Sequence, residues 1–180
     1  KISLYSELFL RAKICNELNL INSDICFLRN NYGKPYLKDH LEYFYNISHT
    51  QNAFAVAISK QCVGVDIEKI KNIDKGIAER FFSKNEIEYV AMLPEKRNER
   101  FFEIWTQKEA FTKYMGKGLT IPFNSFDVFE KHISGKIKTL EKNNYIISVC
   151  NNDCYEELKF FEISEKEMEE YVIKVLLKYD

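Results

Sequence analysis

The sequence predicts an α+β fold of two similar lobes, each an antiparallel sheet packed with helices. Three observations point to it: a helical pattern opens the chain, extended segments follow it, and the same order of helix then sheet begins again near Asp74. The join is expected near residues 68 to 75, giving an N-terminal lobe over 1–70 and a C-terminal lobe over 71–180.

Taken in order, Leu4, Leu8, Phe9, Ala12, Cys15 and Leu18 recur at three- and four-residue intervals, which predicts an amphipathic helix over residues 3 to 18. "DICFLR" reads as a short strand, "NNYGKPYL" as a turn, and "LEYFYNISHT" as extended chain rich in aromatic and β-branched residues. "AFAVAISK" and "CVGVDIEK", separated by a polar "KQ", are expected to pair with each other as a hairpin. "IDKGIAERFF" and "SKNEIEYVAML" open the helical half, with Ser83 as N-cap and Glu86 three residues later as a capping box. A long helical segment from Pro94 to Met115 ends at the glycines of "GKGLTIPFNS". "SFDVFEK", "YIISVC", "LKFFEI" and "EYVIKVLLK" are the remaining strand candidates, with "EISEKEMEEYV" as an alternative short helix.

The chain has 180 residues, 46% of them hydrophobic, enough to bury a substantial core. Its 26 basic residues nearly balance 27 acidic ones, so no global charge suggests a nucleic-acid or membrane-surface partner, and any electrostatic site must be local. Five cysteines in no framework spacing, most among apolar neighbours, favour reduced, buried thiols and a cytoplasmic setting. No apolar run approaches the roughly 20 residues that span a bilayer. The chain begins inside a helical pattern without an initiator methionine, so the natural product is expected to be longer.

Charge placed within apolar patterns marks the candidate site. In "FFEIWTQKEAFTKYM", Phe101, Ile104, Phe111 and Met115 share one helical arc, with Glu109 and Lys113 beside it and Lys108 inside it. Glu109 and Lys113 alone could be an ordinary exposed i,i+4 pair. Lys108 is expected to run its stem past the rings to water. In "CVGVDIEK", Asp66 and Glu68 alternate with Val65 and Ile67, which puts both carboxylates on one strand face roughly 7 Å apart. Such a pair is either solvated or gathers a cation, and with no paired His or Cys cluster a hard ion such as Mg²⁺ fits best. His49 in "NISHT" and Lys34 in "YGKP" lie in or beside turns where side chains converge on ligands. Together these elements supply carboxylates for a metal and cations for phosphates, as an Mg²⁺-dependent enzyme acting on a phosphoanhydride requires.

Gly64-Val65-Asp66, followed about forty residues later by Trp105-Thr106-Gln107-Lys108-Glu109-Ala110-Phe111-Thr112-Lys113, resembles the G-[IV]-D and [FW]-x-x-K-E-[AS]-x-x-K pattern of the 4′-phosphopantetheinyl transferase superfamily. "GKPY", "FYNISHT", "GVDIEK", "RFFSKNE" and "GKGLTIPFNSF" resemble, in order, signatures of its longer, two-lobed Sfp-like class. The resemblance implies a pseudo-twofold pair of lobes in a monomer. It also implies transfer of the phosphopantetheine arm of coenzyme A to a serine of an apo acyl or peptidyl carrier protein, with Mg²⁺ at the pyrophosphate and 3′,5′-ADP released. By position, Asp66, Glu68 and Glu109 resemble the metal-binding carboxylates. Glu109 also resembles a general base, acting directly or through a metal-bound water. Lys113 resembles the lysine that steadies the α-phosphate, and Lys34, Ser48 and His49 resemble contacts to the nucleotide phosphates. Ser3 corresponds to a hydroxyl residue near the 3′-phosphate. Glu86 matches an acidic position near the site as well as a capping box. Lys108 is expected to span between the lobes, and Trp105, Phe102 and Phe111 to be core. Longer members carry a further basic N-terminal portion, of whose end only "KISLYSE" is expected to remain here, so the first lobe is expected to lack its N-terminal part. A catalytically inactive relative and a generic Mg²⁺-dependent phosphohydrolase stand as alternatives.

Overall fold

The structure is a computed structural model that describes residues 1–74, 76–152 and 158–178. In chain order its elements are α1 (Ile2–Leu18), β1 (Phe27–Arg29), β2 (Pro35–Leu37), β3 (Phe44–Thr50), β4 (Ala53–Ser59) and β5 (Val63–Lys69), then α2 (Ile77–Phe81), α3 (Lys84–Ala91), α4 (Arg97–Met115), α5 (Lys131–Ser134), β6 (Ile137–Lys142), β7 (Tyr145–Asn151) and α6 (Glu165–Leu176). This is an α+β fold in which every paired strand runs antiparallel.

Strand periodicity decides what packs where. Along β4, Phe54, Val56 and Ile58 point into a core with Leu10 and Ile14 of α1 and Met168 and Val172 of α6. The alternate residues Ala53, Ala55 and Ala57 pack instead against Val65 and Ile67 of β5 and Ile147 of β7. The three-stranded sheet β5-β7-β6 thus has one face against those alanines and the other against α4. A third apolar cluster joins Phe101, Phe102 and Ile104 of α4 to Phe82, Val90, Val128 and Ile146. Both the β5–β7 ladder and the packing of α6 on α1 link residues before 70 to residues after it.

Several expected elements are placed differently. β4 pairs with β3 through the Gln51-Asn52 turn, where Asn52 takes the left-handed φ of 62°, and not with β5. β5 pairs instead with β7, about eighty residues on in the chain, with Asp66 opposite Ser148. "SFDVFEK" is not a strand, because the Asp127 carboxylate accepts hydrogen bonds from Ser83 Oγ, Asn85 Nδ2 and the Phe129 amide and holds that stretch as a turn. "LKFFEI" is irregular, and "EYVIKVLLK" is helical through Leu176 as the end of α6, started by a second capping box of Ser164 and Glu167. The strand of β6 was not anticipated. It is joined to β7 by Asn143-Asn144, both at positive φ as the hairpin turn demands. The Ser83–Glu86 capping box is present. Among the described cysteines there is no disulfide; Cys15 and Cys150 are buried, but Cys26 and Cys62 are exposed, contrary to expectation, and Cys154 lies outside the described residues.

Candidate active site at the crossing of α4 and β5

Gly64 sets the geometry. A Cβ there would fall 2.1 Å from the Ala110 carbonyl oxygen and 2.3 Å from the Tyr114 amide nitrogen, both fixed helix backbone. Only glycine lets β5 and α4 approach this closely, and the approach brings the carboxylates of one element to the charges of the other. Thr106 on the same helix face hydrogen-bonds Ser148 of β7 at 2.8 Å, both side chains fully buried, which fixes the helix's rotation over the sheet.

β3 lies along the other side of β5 and reads it with its even-numbered side chains. Asn46 Oδ1 accepts from the Val65 amide at 2.8 Å, Ser48 Oγ donates to Asp66 Oδ1 at 2.7 Å, and Thr50 Oγ1 donates to Glu68 Oε2 at 2.8 Å. Lys113 Nζ closes the arrangement from α4, 2.5 Å from Asp66 Oδ1 and 3.1 Å from Ser48 Oγ. Asp66 is almost fully buried, and its second oxygen, Oδ2, has no hydrogen-bond partner. Asn46, Thr50 and the close approach at Gly64 were missed at the level of sequence, although the alternation of polar residues in "YNISHT" and "GVDIE" was the available signal.

The electrostatics tie the three acidic residues together. Burial pushes the Glu109 carboxyl above the ordinary range, the negative charges of Asp66 and Glu68 push it further, and Lys113 opposes them. Glu68 is raised by burial and by Asp66, against the hydrogen bond from Thr50. The donors suit a divalent ion: hard carboxylate oxygens, one of them buried and orphaned, with mutual repulsion that a cation would relieve. Among the described residues, however, no three His, Cys, Asp or Glu side chains converge closely enough to hold a metal by themselves.

The other predicted residues fall in different places. Lys34 Nζ donates to the Val63 carbonyl at 2.9 Å and the Tyr114 carbonyl at 3.4 Å, and burial lowers its pKa. There it tethers the β1–β2 turn to the start of β5 and caps the C-terminal end of α4. Asn30 Nδ2 adds a bond to the Gly116 carbonyl at 2.9 Å. His49 is exposed and alternates with Ser48, so it belongs to the strand face that carries Tyr45 and Ile47 into the α1 core. Ser3 sits exposed in the first turn of α1, and among the described residues it has no hydrogen bond to any other predicted site residue.

Lys108 contradicts the expectation that it reaches water. It is fully buried, with Nζ 2.9 Å from Glu86 Oε2 and 2.7 Å from each of the Phe123 and Phe126 carbonyls, and 4.2 Å from the Phe126 ring centroid. Glu86 in turn accepts from the Val128 amide while capping α3. Trp105 stacks on Phe101 and meets Phe81 and Phe123 edge-on, as a core ring does. An open groove of about 1460 Å³ runs along the opposite face of the sheet, past Ala55, Val65, Ile67 and Ile147. None of Asp66, Glu68, Glu109 or Lys113 lines it, so chemistry rather than volume marks the site.

A family model described as "4'-phosphopantetheinyl transferase superfamily" matches residues 62–175, and one described as "4'-phosphopantetheinyl transferase, N-terminal" matches residues 1–62. The chain belongs to the 4′-phosphopantetheinyl transferase superfamily. It is 43% identical over 127 residues to 4'-phosphopantetheinyl transferase gsp of Aneurinibacillus migulanus, covering 69% of this chain and 52% of that one. It is 39% identical over 136 residues to 4'-phosphopantetheinyl transferase ffp of Bacillus subtilis, covering 75% and 60%. The match to 4'-phosphopantetheinyl transferase Sfp of Bacillus subtilis strain 168 is 38% over 138 residues, with the same coverage. The chain therefore spans between about half and three-fifths of the length of these relatives.

Proposed function

We propose that this chain carries the catalytic centre of an enzyme that transfers the phosphopantetheine arm of coenzyme A to a serine of an apo acyl or peptidyl carrier protein. The observation that carries the proposal is the Asp66–Ser48–Lys113 cluster at the α4–β5 crossing, with Glu68 and Glu109 coupled to it, in a chain of this superfamily.

Asp66, Glu68 and Glu109 would hold Mg²⁺, Asp66 through its orphaned Oδ2, with waters and the pyrophosphate of coenzyme A completing the coordination that three protein carboxylates leave open. When bound, the ion neutralises the pyrophosphate and its leaving 3′,5′-ADP oxygen. Lys113 steadies charge on the transferred phosphoryl group. Glu109 takes the proton of the attacking carrier serine as general base. Ser48 and Thr50 keep Asp66 and Glu68 in place, and Ser48 is near enough to share a phosphate with Lys113. Lys34 has a third donor for the nucleotide beyond its two carbonyl bonds, and His49 and Ser3 are peripheral candidates for the same ligand.

Coenzyme A and its carriers imply a cytoplasmic enzyme, and among the described residues no helix is long and apolar enough to cross a membrane. The test is to incubate the protein at its natural full length with coenzyme A, Mg²⁺ and a panel of apo carriers, and weigh the carriers by mass spectrometry. A phosphopantetheine adduct on at least one carrier is expected. Cleavage of coenzyme A without an acceptor would instead make the protein a phosphohydrolase, and carrier binding without turnover an inactive relative.

A further inference from the structure

The site as it stands contains a cation, the ammonium group of Lys113. Its partner Asp66 is 5% exposed at the side chain, and a carboxylate so buried is costly to keep charged without a counter-charge. Lys113 provides one at 2.5 Å on Oδ1, and Ser48 donates to the same oxygen. Oδ2 is left without a partner. A divalent ion arriving at Oδ2 would share one carboxylate group with an ammonium, and the two cations repel across that short distance. The negative charges of Asp66 and Glu68 both act on Glu109, and Lys113 opposes them.

From this contact we propose that Lys113 is a resident counter-ion that competes with the metal for Asp66 and moves to a substrate phosphate when coenzyme A binds. The lysine thereby has two stations, the carboxylate in the empty enzyme and the phosphoryl oxygen in the loaded one. Its side chain is 27% exposed, and its long flexible stem allows the ammonium to swing from one to the other. Metal affinity is then low until a phosphate draws Lys113 away, and by linkage the metal and coenzyme A strengthen each other's binding. The inference rests on the proposed metal and phosphate roles, and adds to them how the site is kept charged, ordered and weakly metal-binding between turnovers.

The experiment titrates Mn²⁺ into the full-length protein without coenzyme A and follows free Mn²⁺ by electron paramagnetic resonance. Lys113→Met is expected to bind Mn²⁺ about tenfold more tightly than the wild type, Lys113→Arg within about twofold of it. Lys71 serves as the control, because it lowers the pKa of Glu68 through charge with no ion-pair contact among the described residues; Lys71→Met is expected to gain less than about threefold. Coenzyme A should tighten Mn²⁺ binding to the wild type and do so less for Lys113→Met. Lys113→Gln replaces Lys113→Met if the latter fails to show a folded thermal transition. A variant lacking the Lys113 charge that binds Mn²⁺ no more tightly than the wild type, or Lys71→Met gaining as much as Lys113→Met, overturns the inference. Carrier modification is scored separately. Transfer without the affinity change sinks only the counter-ion role, and the affinity change without transfer sinks only the proposed reaction.

Discussion

Replacing Gly64 with alanine is the smallest change that should uncouple α4 from β5. The added Cβ would lie 2.1 Å from a backbone oxygen of the helix, whereas ordinary contact begins near 3.4 Å, so helix and strand must separate by up to 1.3 Å, the difference between those two values. Neither neighbour is the end of a flexible side chain, so no rotamer change absorbs the clash. Overpacking of this kind costs about 1–3 kcal/mol, which for a chain of this length lowers Tm by roughly 2–12 °C. The same separation would move the α4 backbone that carries Glu109 and Lys113 away from the β5 backbone that carries Asp66 and Glu68. A displacement near 1 Å of positioned groups costs on the order of a hundredfold in rate. Thermal unfolding by circular dichroism and mass-detected carrier modification measure the two effects on one sample. A Gly64→Ala protein with unchanged Tm and unchanged transfer would show that the close approach does not position the site.

Glu109→Gln and Asp66→Ala are each expected to lower turnover by at least about a hundredfold in the same carrier assay, as losing a base or a metal ligand does; Glu109→Gln should unfold no lower than the wild type, because it removes a charge that Asp66 and Glu68 repel. Lys108→Met leaves the buried Glu86 carboxylate without its cation and is expected to cost about 3–5 kcal/mol, read by urea denaturation. Mg²⁺ binding requires charged carboxylates, and those of Glu109 and Glu68 hold their protons above the ordinary range. Mg²⁺ affinity by calorimetry should therefore begin to fall, as pH is lowered, while ordinary exposed carboxylates are still fully ionised. Without metal the sign for stability reverses. A raised native pKa contributes stability that is present below the unfolded value and lost as pH rises through the native one, so these two groups destabilise the metal-free chain toward neutral pH.

Local signals were the legible ones. The Ser83–Glu86 box, the glycine stop after Met115 and the strand alternation of Asp66 with Val65 and Ile67 each depend on neighbours within a few residues, and each is found in the structure. The pairing of β5 with β7 joins segments about eighty residues apart, and nothing near either segment announces it. α6 was obscured because Tyr171, Val172, Ile173 and Val175 favour strands locally, while its Ser164 cap and its packing on α1 decide for helix. The surroundings of Lys108 are not legible in the sequence because a helical wheel gives a direction and not what lies beyond it, here Glu86 and the Phe123 and Phe126 carbonyls. The motif residues of the site could be named from sequence; that Asp66 is held by Ser48 and Lys113 together could not, since it depends on three elements meeting.

A crystal structure of the full-length protein with coenzyme A and Mn²⁺, using the anomalous signal of the ion, would locate the metal relative to Asp66, Glu68 and Glu109. The expected result is an anomalous peak about 2.1 Å from Asp66 Oδ2, with Glu109 and Glu68 turned toward it and Lys113 Nζ on a phosphate oxygen. A peak away from all three carboxylates, with coenzyme A bound elsewhere and Lys113 still on Asp66, would contradict it.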